Sequence, residues 1–572
     1  MRQTSPFRTL HSAFGTPHSD RCLRSLPKTG QKRATTRKKR VLTARPRSAN
    51  ITPCLVRPKS NSPSPAQRSV RAEAHKPISY QSVETELRPK RSKAIDTMNF
   101  RATTRGACLA TACATLAVTA ATAKDRTVSL HPDNPHYFLW RGQPTVLITS
   151  GEHYGAVMNL DFNYASYLKE LQARKLNCTR LFSGAYVEPH GAFGIAQNTL
   201  APAAGRFISP WVRSSQPGYA NGGNKFDLTR WDEDYFKRLR DFVKQAGRRG
   251  VVVEINLFCP FYDESQWRLS PQNPINNVNG IGNVARTNVY TLDKNGGLLA
   301  LHDAMTRKIV TELNGFDNLY YEICNEPYFG GVTMEWQRHI ADVIAGTEKS
   351  LPNRHLISQN IANGSQPITQ PHPAVSIFNF HYASPPTAVA ENYTLNKAIG
   401  DNETGFKGTN NAPYRAEAWE FILAGGALYN NLDYSFVAGH ERGDFVYPAN
   451  QPGGGNASFR QQMTVLRDFI SGFDFVRMKP DKRFLLSGAP EKFRIHALME
   501  EGKQYAAYFL DPGDTAARPL SLSMALPPGQ YRIEWVDVLT GKASRRERVK
   551  STGVVTITLP EFQRETALGI RR

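Results

Sequence analysis

The sequence predicts an α/β fold in which an eight-stranded β/α barrel is followed by a small all-β sandwich domain. From residue 145 onward, short apolar segments alternate with amphipathic helical segments, and near residue 480 this pattern gives way to short alternating strands. The apolar segments are continuous rather than alternating, which is typical of parallel strands buried on both faces. Eight strand–helix units favour a closed barrel of the TIM type. We therefore assign residues 124–480 to the barrel and residues 481–572 to the sandwich.

The barrel assignment depends on eight strand candidates and on the helical spacing between them. The candidates are 145–150, 177–183, 251–258, 318–324, 355–358, 374–380, 397–401 and 427–436. The connections after the second and third strands, 184–230 and 259–296, are unusually long. Long loops in compact domains are commonly functional, and these two follow the C-terminal strand ends where barrels build their active sites.

Beyond residue 480, segments such as KQYAAYFLDPGD and GVVTITLP alternate apolar and polar residues between Gly and Pro turns. This pattern is typical of a small antiparallel sandwich. Its Tyr and Trp side chains could bind sugar, although such residues more often belong to a core. We therefore expect a domain that packs beside the barrel.

The formal net charge of +23 is concentrated at the N-terminus. Residues 1–97 contain 22 Lys/Arg and 5 Asp/Glu, a net of +17, and residues 98–123 add two arginines, which leaves 23 − 17 − 2 = +4 for residues 124–572. Residues 1–97 lack apolar periodicity, which predicts a disordered basic arm. This arm is the one feature that favours a nucleic-acid-binding protein. The near-neutral remainder gives no strong case for an anionic polysaccharide substrate.

Residues 98–123 resemble a secretory signal peptide, with a basic start, a small-residue apolar stretch at 106–119 and an A-x-A motif that ends at Ala123. Because such a signal acts near the start of a chain, we expect translation to begin at Met98 and residues 1–97 to reflect a mis-assigned start. We then expect a secreted or periplasmic protein, cleaved near Ala123, with no nucleic-acid partner. No later segment predicts a membrane span, and the sequence does not indicate an oligomeric state.

The segment YYEICNEPY, residues 320–328, places Asn325 and Glu326 where the fourth strand ends. Alone, Asn-Glu-Pro favours an ordinary loop start, because Pro often ends strands. At the C-terminal end of a barrel strand, an active-site carboxylate is favoured instead. The segment GDNETGF supplies Asp401 and Glu403 after the predicted seventh strand. Glu403 follows Glu326 by 403 − 326 = 77 residues, which leaves room for three βα units of about 25 residues each.

Two carboxyl groups at the ends of two different strands are what glycoside hydrolysis needs. One must be protonated to donate to the leaving oxygen, and the other must be ionised to attack the sugar or activate water. The other acidic residues fit less well. Glu417 and Glu420 lie in a predicted helix and Glu391 precedes the seventh strand, whereas Glu441, in a loop after the eighth strand, stays an alternative.

Asn-Glu-Pro on the fourth strand with a Glu on the seventh resembles clan A of the glycoside hydrolases, near the cellulase-like family. The resemblance extends over residues 130–480, and the sandwich also resembles domains often appended to such barrels. It implies a retaining enzyme in which Glu326 is the acid/base and Glu403 the nucleophile, with no metal or organic cofactor. Asn325 would hydrogen-bond the substrate 2-hydroxyl group. Arg180, at the end of the second strand, would keep Glu403 ionised.

Several positions depart from the cellulase-like pattern. His381 and Tyr382 are adjacent where the family has His-x-Tyr, so at most one points straight inward unless the strand bends. Tyr382 could then donate to Glu403, and His381 could line the sugar site. The third strand ends near Asn256 without the usual histidine.

The aromatic platform of the sugar site is also altered. The eighth strand lacks the tryptophan of many clan members, so Tyr434 or Phe436 must stack on the sugar, or the stacking is absent. At the first strand, SGEHYG offers Glu152, His153 and Tyr154 as further sugar contacts.

These patterns together predict a secreted retaining O-glycoside hydrolase that acts on a poly- or oligosaccharide. A non-catalytic carbohydrate-binding surface protein is the alternative, although a pure binder has no need for two carboxyls at about 5 Å. The sugar and the linkage are not indicated. The two long loops could enclose a pocket for exo action or flank an open groove.

Overall fold

The structure is a computed structural model that describes residues 127–513 and 519–572. The predicted basic arm, the predicted start at Met98 and the predicted signal peptide lie outside the described residues. Within the two described ranges, none of the helices combines the length and the apolar character that crossing a bilayer requires.

Eight parallel strands form the barrel sheet, as the sequence predicts. They are β1 (Leu147–Gly151), β2 (Cys178–Phe182), β3 (Val252–Phe258), β4 (Leu319–Cys324), β5 (Ile357–Asn363), β6 (Val375–His381), β7 (Ala398–Thr404) and β8 (Leu428–Leu432). From β2 to β8 each strand pairs with the next one along the chain, and β8 pairs with β1, so that β1 and β2 are the two ends of the sheet. Six of the eight strands are buried over their full length, because helices cover the outside and side chains fill the inside.

Asn177 links the two end strands of this sheet, β1 and β2. Its side chain accepts a hydrogen bond from the Ile148 amide at 2.9 Å and donates to the Val146 carbonyl at 2.9 Å. Its own amide also donates to the Ile148 carbonyl. The barrel is thus nearly closed by one buried asparagine.

Helices alternate with the strands, as the sequence predicts, except between β5 and β6, where the described residues form none. They are α1 (Tyr164–Ala173), α2 (Glu233–Arg248), α3 (Glu264–Leu269), α4 (Leu298–Leu313), α5 (Met334–Glu348), α6 (Thr387–Asn392), α7 (Asn411–Leu423) and α8 (Ala457–Ser471). In α2, the Asp232 side chain caps the Asp234 and Tyr235 amides, and the first turn is acidic. Both features stabilise a helix start.

The two long loops have structure of their own and are joined to each other. The loop after β2 contains an antiparallel hairpin, Trp211–Pro217 with Asn224–Trp231, and the loop after β3 contains α3. The Phe226 amide of the hairpin donates to the Asn276 carbonyl at 2.8 Å, and the Val278 amide donates back to Phe226 at 2.9 Å. The loops therefore form one continuous wall on this side of the barrel.

The C-terminal residues form an antiparallel sheet, as predicted. Its strands are β9 (Lys479–Pro480), β10 (Leu485–Ser487), β11 (Arg494–Glu500), β12 (Gln504–Leu510), β13 (Leu520–Val536), β14 (Ala543–Leu559) and β15 (Glu565–Arg571). They are hydrogen bonded into one sheet, in which the first half of the long β13 pairs with β10 and its second half with β15. A register shift between Leu526 and Gly529 separates these halves.

The C-terminal sheet packs on α7 of the barrel. The rings of Trp419 and Tyr508 stack with centroids 5.5 Å apart. The Arg415 guanidinium donates to the buried Glu565 carboxylate at 2.9 Å and 2.5 Å. A second hydrophobic core, with Trp535 and Phe509, fills the other side of the sheet.

Candidate active site

Glu326 and Glu403 lie close together at the C-terminal ends of their strands. Glu326 follows β4 by two residues, and Glu403 is the penultimate residue of β7. Only 7% of Glu326 and 6% of Glu403 is exposed. One oxygen of each carboxylate and a ring nitrogen of His381 all lie within 4.8 Å of one another. The two predicted catalytic carboxylates therefore share one small site.

Glu326 has a left-handed backbone conformation, with φ of 34°. This region is unfavourable for residues other than glycine, and such conformations often occur at functional sites. The preceding Asn325 amide donates to the Phe258 carbonyl of β3 at 2.8 Å, and the Phe329 amide closes the turn on the Glu326 carbonyl at 3.0 Å. The backbone is thus held on both sides of the strained residue.

Three donors surround the Glu403 carboxylate. The Tyr154 hydroxyl donates to Oε2 at 3.0 Å, Arg180 Nη1 donates to Oε2 at 3.1 Å, and the Tyr382 hydroxyl donates to Oε1 at 2.7 Å. Hydrogen bonds to the charged form of a carboxylate stabilise that form. The predicted contacts of Arg180 and Tyr382 with Glu403 are both present.

Glu326 is surrounded by a different set of donors. The Tyr262 hydroxyl donates to its Oε2 at 2.6 Å, the Tyr328 hydroxyl to Oε1 at 3.2 Å, and His381 Nδ1 lies 3.1 Å from Oε1. Burial raises the pKa of Glu326, but hydrogen bonding and charge from His381, with the Tyr262 hydroxyl, leave it below its ordinary value. The resting site therefore favours an ionised Glu326.

His381 lies between the two carboxylates, with Nδ1 3.1 Å from Glu326 Oε1 and 3.6 Å from Glu403 Oε1. Burial lowers the pKa of His381, but Glu403 and Glu326 outweigh burial and raise it above its ordinary value. The proton of the resting site is thus favoured on the imidazole. In the described ranges these three residues are also the one cluster of at least three side chains able to ligate a metal ion.

A bend after β6 brings His381 and Tyr382 into the site together. Tyr382 has φ of 54°, and its amide donates to the Glu403 carbonyl at 3.0 Å. The expectation that only one of the pair points inward holds for a straight strand, and the bend removes that restriction.

Arg180 connects Glu403 to an acidic layer deeper in the barrel. Its Nε donates to Glu254 at 2.6 Å, and its Nη2 donates to Glu322. Burial and the neighbouring Glu322 raise the pKa of Glu254 to about 7. Burial lowers the pKa of Arg180, but Glu322 and Glu254 outweigh it and raise that pKa well above its usual range. Arg180 thus stays a cation beneath the two carboxylates of Glu326 and Glu403.

Asn325 is held in one orientation beside the pair. Its Oδ1 accepts from Arg180 Nη2 at 2.8 Å, and its Nδ2 donates to the Tyr262 hydroxyl at 2.8 Å. Asn256 lies lower and donates to Glu322 Oε1 at 3.2 Å. Asn256 therefore supports the acidic layer rather than the mouth of the site.

The three residues after β1 that the sequence predicts as sugar contacts, Glu152, His153 and Tyr154, have different surroundings. Tyr154 reaches Glu403, and His153 Nε2 lies 3.5 Å from Glu188 Oε1, on the long loop after β2. Glu152 is buried and accepts from the Gly155 amide at 3.0 Å and from Thr199. Glu152 therefore holds the loop in place and does not line the cleft.

Neither predicted aromatic platform is an open surface. Tyr434 is 1% exposed, and its ring packs beside His153 at 5.4 Å. Phe436 is equally buried, and the Arg460 guanidinium lies 4.5 Å from its ring centroid. Phe436 thus belongs to the packing around Arg460, and Tyr434 contributes a side wall.

The competing acids are engaged elsewhere. Asp401 faces Glu417 of α7, and burial together with Glu417 raises its pKa well above the ordinary value. Lys407 pairs with Glu417 at 2.9 Å. Glu441, the open alternative, accepts from the amides of Asn163 and Gly439 at 3.0 Å and 2.9 Å.

Three polar residues of the site have no counterpart in the sequence prediction. Tyr262 and Tyr328 bind Glu326, and Glu188 binds His153. Tyr262 and Glu188 lie on the two long loops, and Tyr328 directly follows the Asn-Glu-Pro turn. The length of the two loops predicts that they are functional. Loop sequence alone, however, does not indicate which hydroxyl or carboxylate turns into the site.

Residues 153–406 match the family model described as cellulase (glycosyl hydrolase family 5). A Bacteroides vulgatus protein assigned to the glycoside hydrolases has a TM-score of 0.56 at 13% identity, with 78% of this chain and 82% of that chain covered. A glycoside hydrolase family 5 protein from the same organism has a TM-score of 0.51 at 12% identity, covering 78% and 93%. At such identities this likeness concerns the fold alone. No curated protein matches the sequence. The predicted resemblance to clan A is confirmed.

Proposed function

We propose that this chain is an O-glycoside hydrolase with a clan A barrel, and that it cleaves O-glycosidic bonds of a poly- or oligosaccharide with retention of configuration. The observation that carries the proposal is the pair of carboxylates with oxygens within 4.8 Å of each other. Retaining enzymes keep their carboxyl groups at about 5–5.5 Å, whereas inverting enzymes need about 6.5–9.5 Å to admit a water molecule.

In the first step Glu403 attacks the anomeric carbon while the bond from that carbon to the leaving oxygen breaks. Glu326 gives its proton to the leaving oxygen, and a glycosyl ester forms on Glu403. In the second step Glu326 takes a proton from water, the water oxygen attacks the anomeric carbon, and the ester bond breaks. The sugar leaves with its original configuration, and both residues return to their starting states.

The acid step needs a proton on Glu326, which the resting site disfavours. His381 Nδ1 lies 3.1 Å from Glu326 Oε1, within hydrogen-bonding distance. When the glycosyl ester forms, Glu403 loses its negative charge and no longer stabilises the imidazolium. A proton held on His381 can therefore reach Glu326 as the first step proceeds.

Asn325 and Arg180 support the same reaction through fixed geometry. Arg180 contacts Glu403 at 3.1 Å and Asn325 at 2.8 Å, so one cation orients both the nucleophile and the amide. A preorganised amide can hydrogen-bond a sugar hydroxyl without reorganising as charge develops. This favours the predicted role of Asn325 at the 2-hydroxyl group.

The roles of the two glutamates are tested with an aryl glycoside that has a good leaving group. Glu403→Ala should lower kcat by at least about 10³-fold, and azide should then give a glycosyl azide of inverted configuration. Glu326→Ala should still form the glycosyl ester, because a good leaving group needs no acid, and azide should give the retained product.

Glu441→Gln is the matched control, because Glu441 is the competing acid and its carboxylate accepts hydrogen bonds from the backbone amides of Asn163 and Gly439. It should keep normal turnover. Near-normal turnover by Glu403→Ala, or azide products of the opposite configurations, would contradict the assignment.

The location of the enzyme is also part of the proposal. The basic start, the apolar stretch and the A-x-A motif at 98–123 support export and cleavage near Ala123. N-terminal sequencing of exported protein should give a chain that begins near Lys124.

A further inference from the structure

Three arginines lie side by side across three strands of the C-terminal sheet. Arg532 on β13 is directly opposite Arg548 on β14 and directly opposite Arg571 on β15. Directly opposed residues share one face, with Cβ atoms about 4.5–5.5 Å apart. The guanidinium groups therefore form a row across the sheet.

The adjoining rows extend the same face. Lys550 is opposite Gln530, and Arg546 is opposite Glu534. We call Arg532, Arg546, Arg548, Lys550 and Arg571 the basic face. Four of the five are exposed and Arg571 is half-buried.

The charge of this face is poorly compensated. Arg546 donates to Glu534 at 2.7 Å. Arg571 donates to the Gly472 carbonyl at 3.1 Å and lies over the Phe473 ring. In the described parts of the chain, the side chains of Arg532, Arg548 and Lys550 have no carboxylate partner. Like charges directly opposite each other destabilise a sheet, so a bound anion would relieve the repulsion.

The opposite face of β14 offers a comparison within the same strand. Arg545 and Glu547 lie there, and their side chains pair at 3.2 Å. The excess of positive charge is thus confined to one face and is not a property of the whole strand.

A polar hollow adjoins the basic face. A cavity of about 300 Å³ lies between α8 and the sheet, and its lining includes Gln461, Thr464 and Asp468 together with Glu534, Gly569 and Arg571. These amide, hydroxyl and charged groups are the kinds of partner that sugar hydroxyls require. Three of the residues, Glu534, Gly569 and Arg571, belong to both the cavity and the rows of the basic face.

We infer that the basic face and the adjoining cavity bind an acidic polysaccharide, through sulfate or carboxylate groups, on a domain separate from the catalytic pair. Guanidinium groups bind such oxyanions by paired hydrogen bonds. The remaining members of the rows are Gln530, Glu534 and Gly569, so these rows present no aromatic ring for stacking of nucleic-acid bases. The inference does not depend on which glutamate is the nucleophile.

The test is affinity electrophoresis of the processed protein in native gels that contain dextran, dextran sulfate or polygalacturonate. Dextran and dextran sulfate share a backbone and differ in charge, whereas polygalacturonate tests carboxylate groups. The wild type should be retarded by at least one acidic polymer but not by dextran, and salt should reduce the retardation.

Arg548→Gln and Arg545→Gln form a matched pair, because each removes one positive charge from β14, on opposite faces. Arg548→Gln should weaken the binding by at least about threefold, and Arg532→Gln/Arg548→Gln by more, while Arg545→Gln should leave it unchanged. All variants should hydrolyse a small neutral aryl glycoside at the wild-type rate, which shows that fold and catalytic site are intact.

Equal retardation by dextran, equal effects of Arg548→Gln and Arg545→Gln, or tighter binding to duplex DNA than to both acidic polymers would each overturn the inference. None of these outcomes bears on the catalytic proposal, because binding is measured without turnover.

Discussion

His381 is the residue on which the proton balance of the catalytic site depends. Its Nδ1 is within 3.1 Å and 3.6 Å of the two carboxylates, and their charges raise its pKa. The same imidazole, by hydrogen bonding and charge, helps to lower the pKa of Glu326 despite burial. If Glu326 is the acid of the proposed reaction, a proton must reach it, and the imidazole at 3.1 Å is placed to supply that proton.

The pH dependence of catalysis tests this role. As the pH rises through the raised pKa of His381, the imidazole loses its proton, so we expect kcat to fall on the alkaline side. His381→Gln removes both the proton store and the cation that lowers the Glu326 pKa, so burial should raise that pKa. Above that pKa, where Glu326 holds no proton, the variant should lose about 10²-fold or more in kcat on poor leaving groups and much less on good ones.

The measurement is the pH profile of kcat for wild type and His381→Gln on two aryl glycosides that differ in leaving-group pKa. The alkaline limb of the variant should move, because a different group now sets it. An unchanged profile, or an equal loss on both substrates, would indicate that His381 only supports the structure.

At the scale of elements, the strands were predictable and their ends were not. Continuous apolar runs identify β1 to β8, because each strand is buried on both faces. The bend at Tyr382 depends on a hydrogen bond to Glu403, which is distant in sequence. The sequence predicts Glu152 and Tyr154 equally as sugar contacts. In the structure, however, Thr199, 47 residues away on a loop, donates to the Glu152 carboxylate. Tertiary contacts of this kind leave no local pattern.

The attachment of the C-terminal sheet to α7 gives a prediction about stability. Glu565 is buried and accepts from Arg415 and from the Tyr508 hydroxyl at 2.9 Å. Glu565→Ala leaves the buried guanidinium of Arg415 without its carboxylate partner, which typically costs about 3–5 kcal/mol in the free energy of unfolding. Urea unfolding followed by fluorescence measures this change.

Arg483→Ala is the control for that experiment, because Arg483 pairs with Asp481 at an exposed position. Exposed pairs contribute little to stability, so the unfolding curve should stay close to that of the wild type. If Glu565→Ala unfolded at the wild-type urea concentration, the ion pair would not contribute to holding the sheet on the barrel.

At the scale of the whole molecule, the basic face and the pair of carboxylates lie on different domains. The sequence distributes a net charge of only +4 over residues 124–572, which argues against a strongly anionic substrate at the barrel. Strand pairing nevertheless collects Arg532, Arg548 and Arg571 into one row. Net charge could not reveal this row, because its members come from three strands and meet only through the sheet register. The sheet therefore carries a basic surface that is separate from the carboxylate pair of the barrel.

The stereochemistry of hydrolysis tests the central claim most directly, because it depends on the separation of Glu326 and Glu403. Proton NMR can follow the first sugar released from an aryl glycoside before mutarotation. With carboxylate oxygens within 4.8 Å, the proposed double displacement predicts that the first product keeps the anomeric configuration of the substrate. If the opposite anomer appeared first, a water molecule would have to attack between the two carboxylates, and the double-displacement account would be wrong.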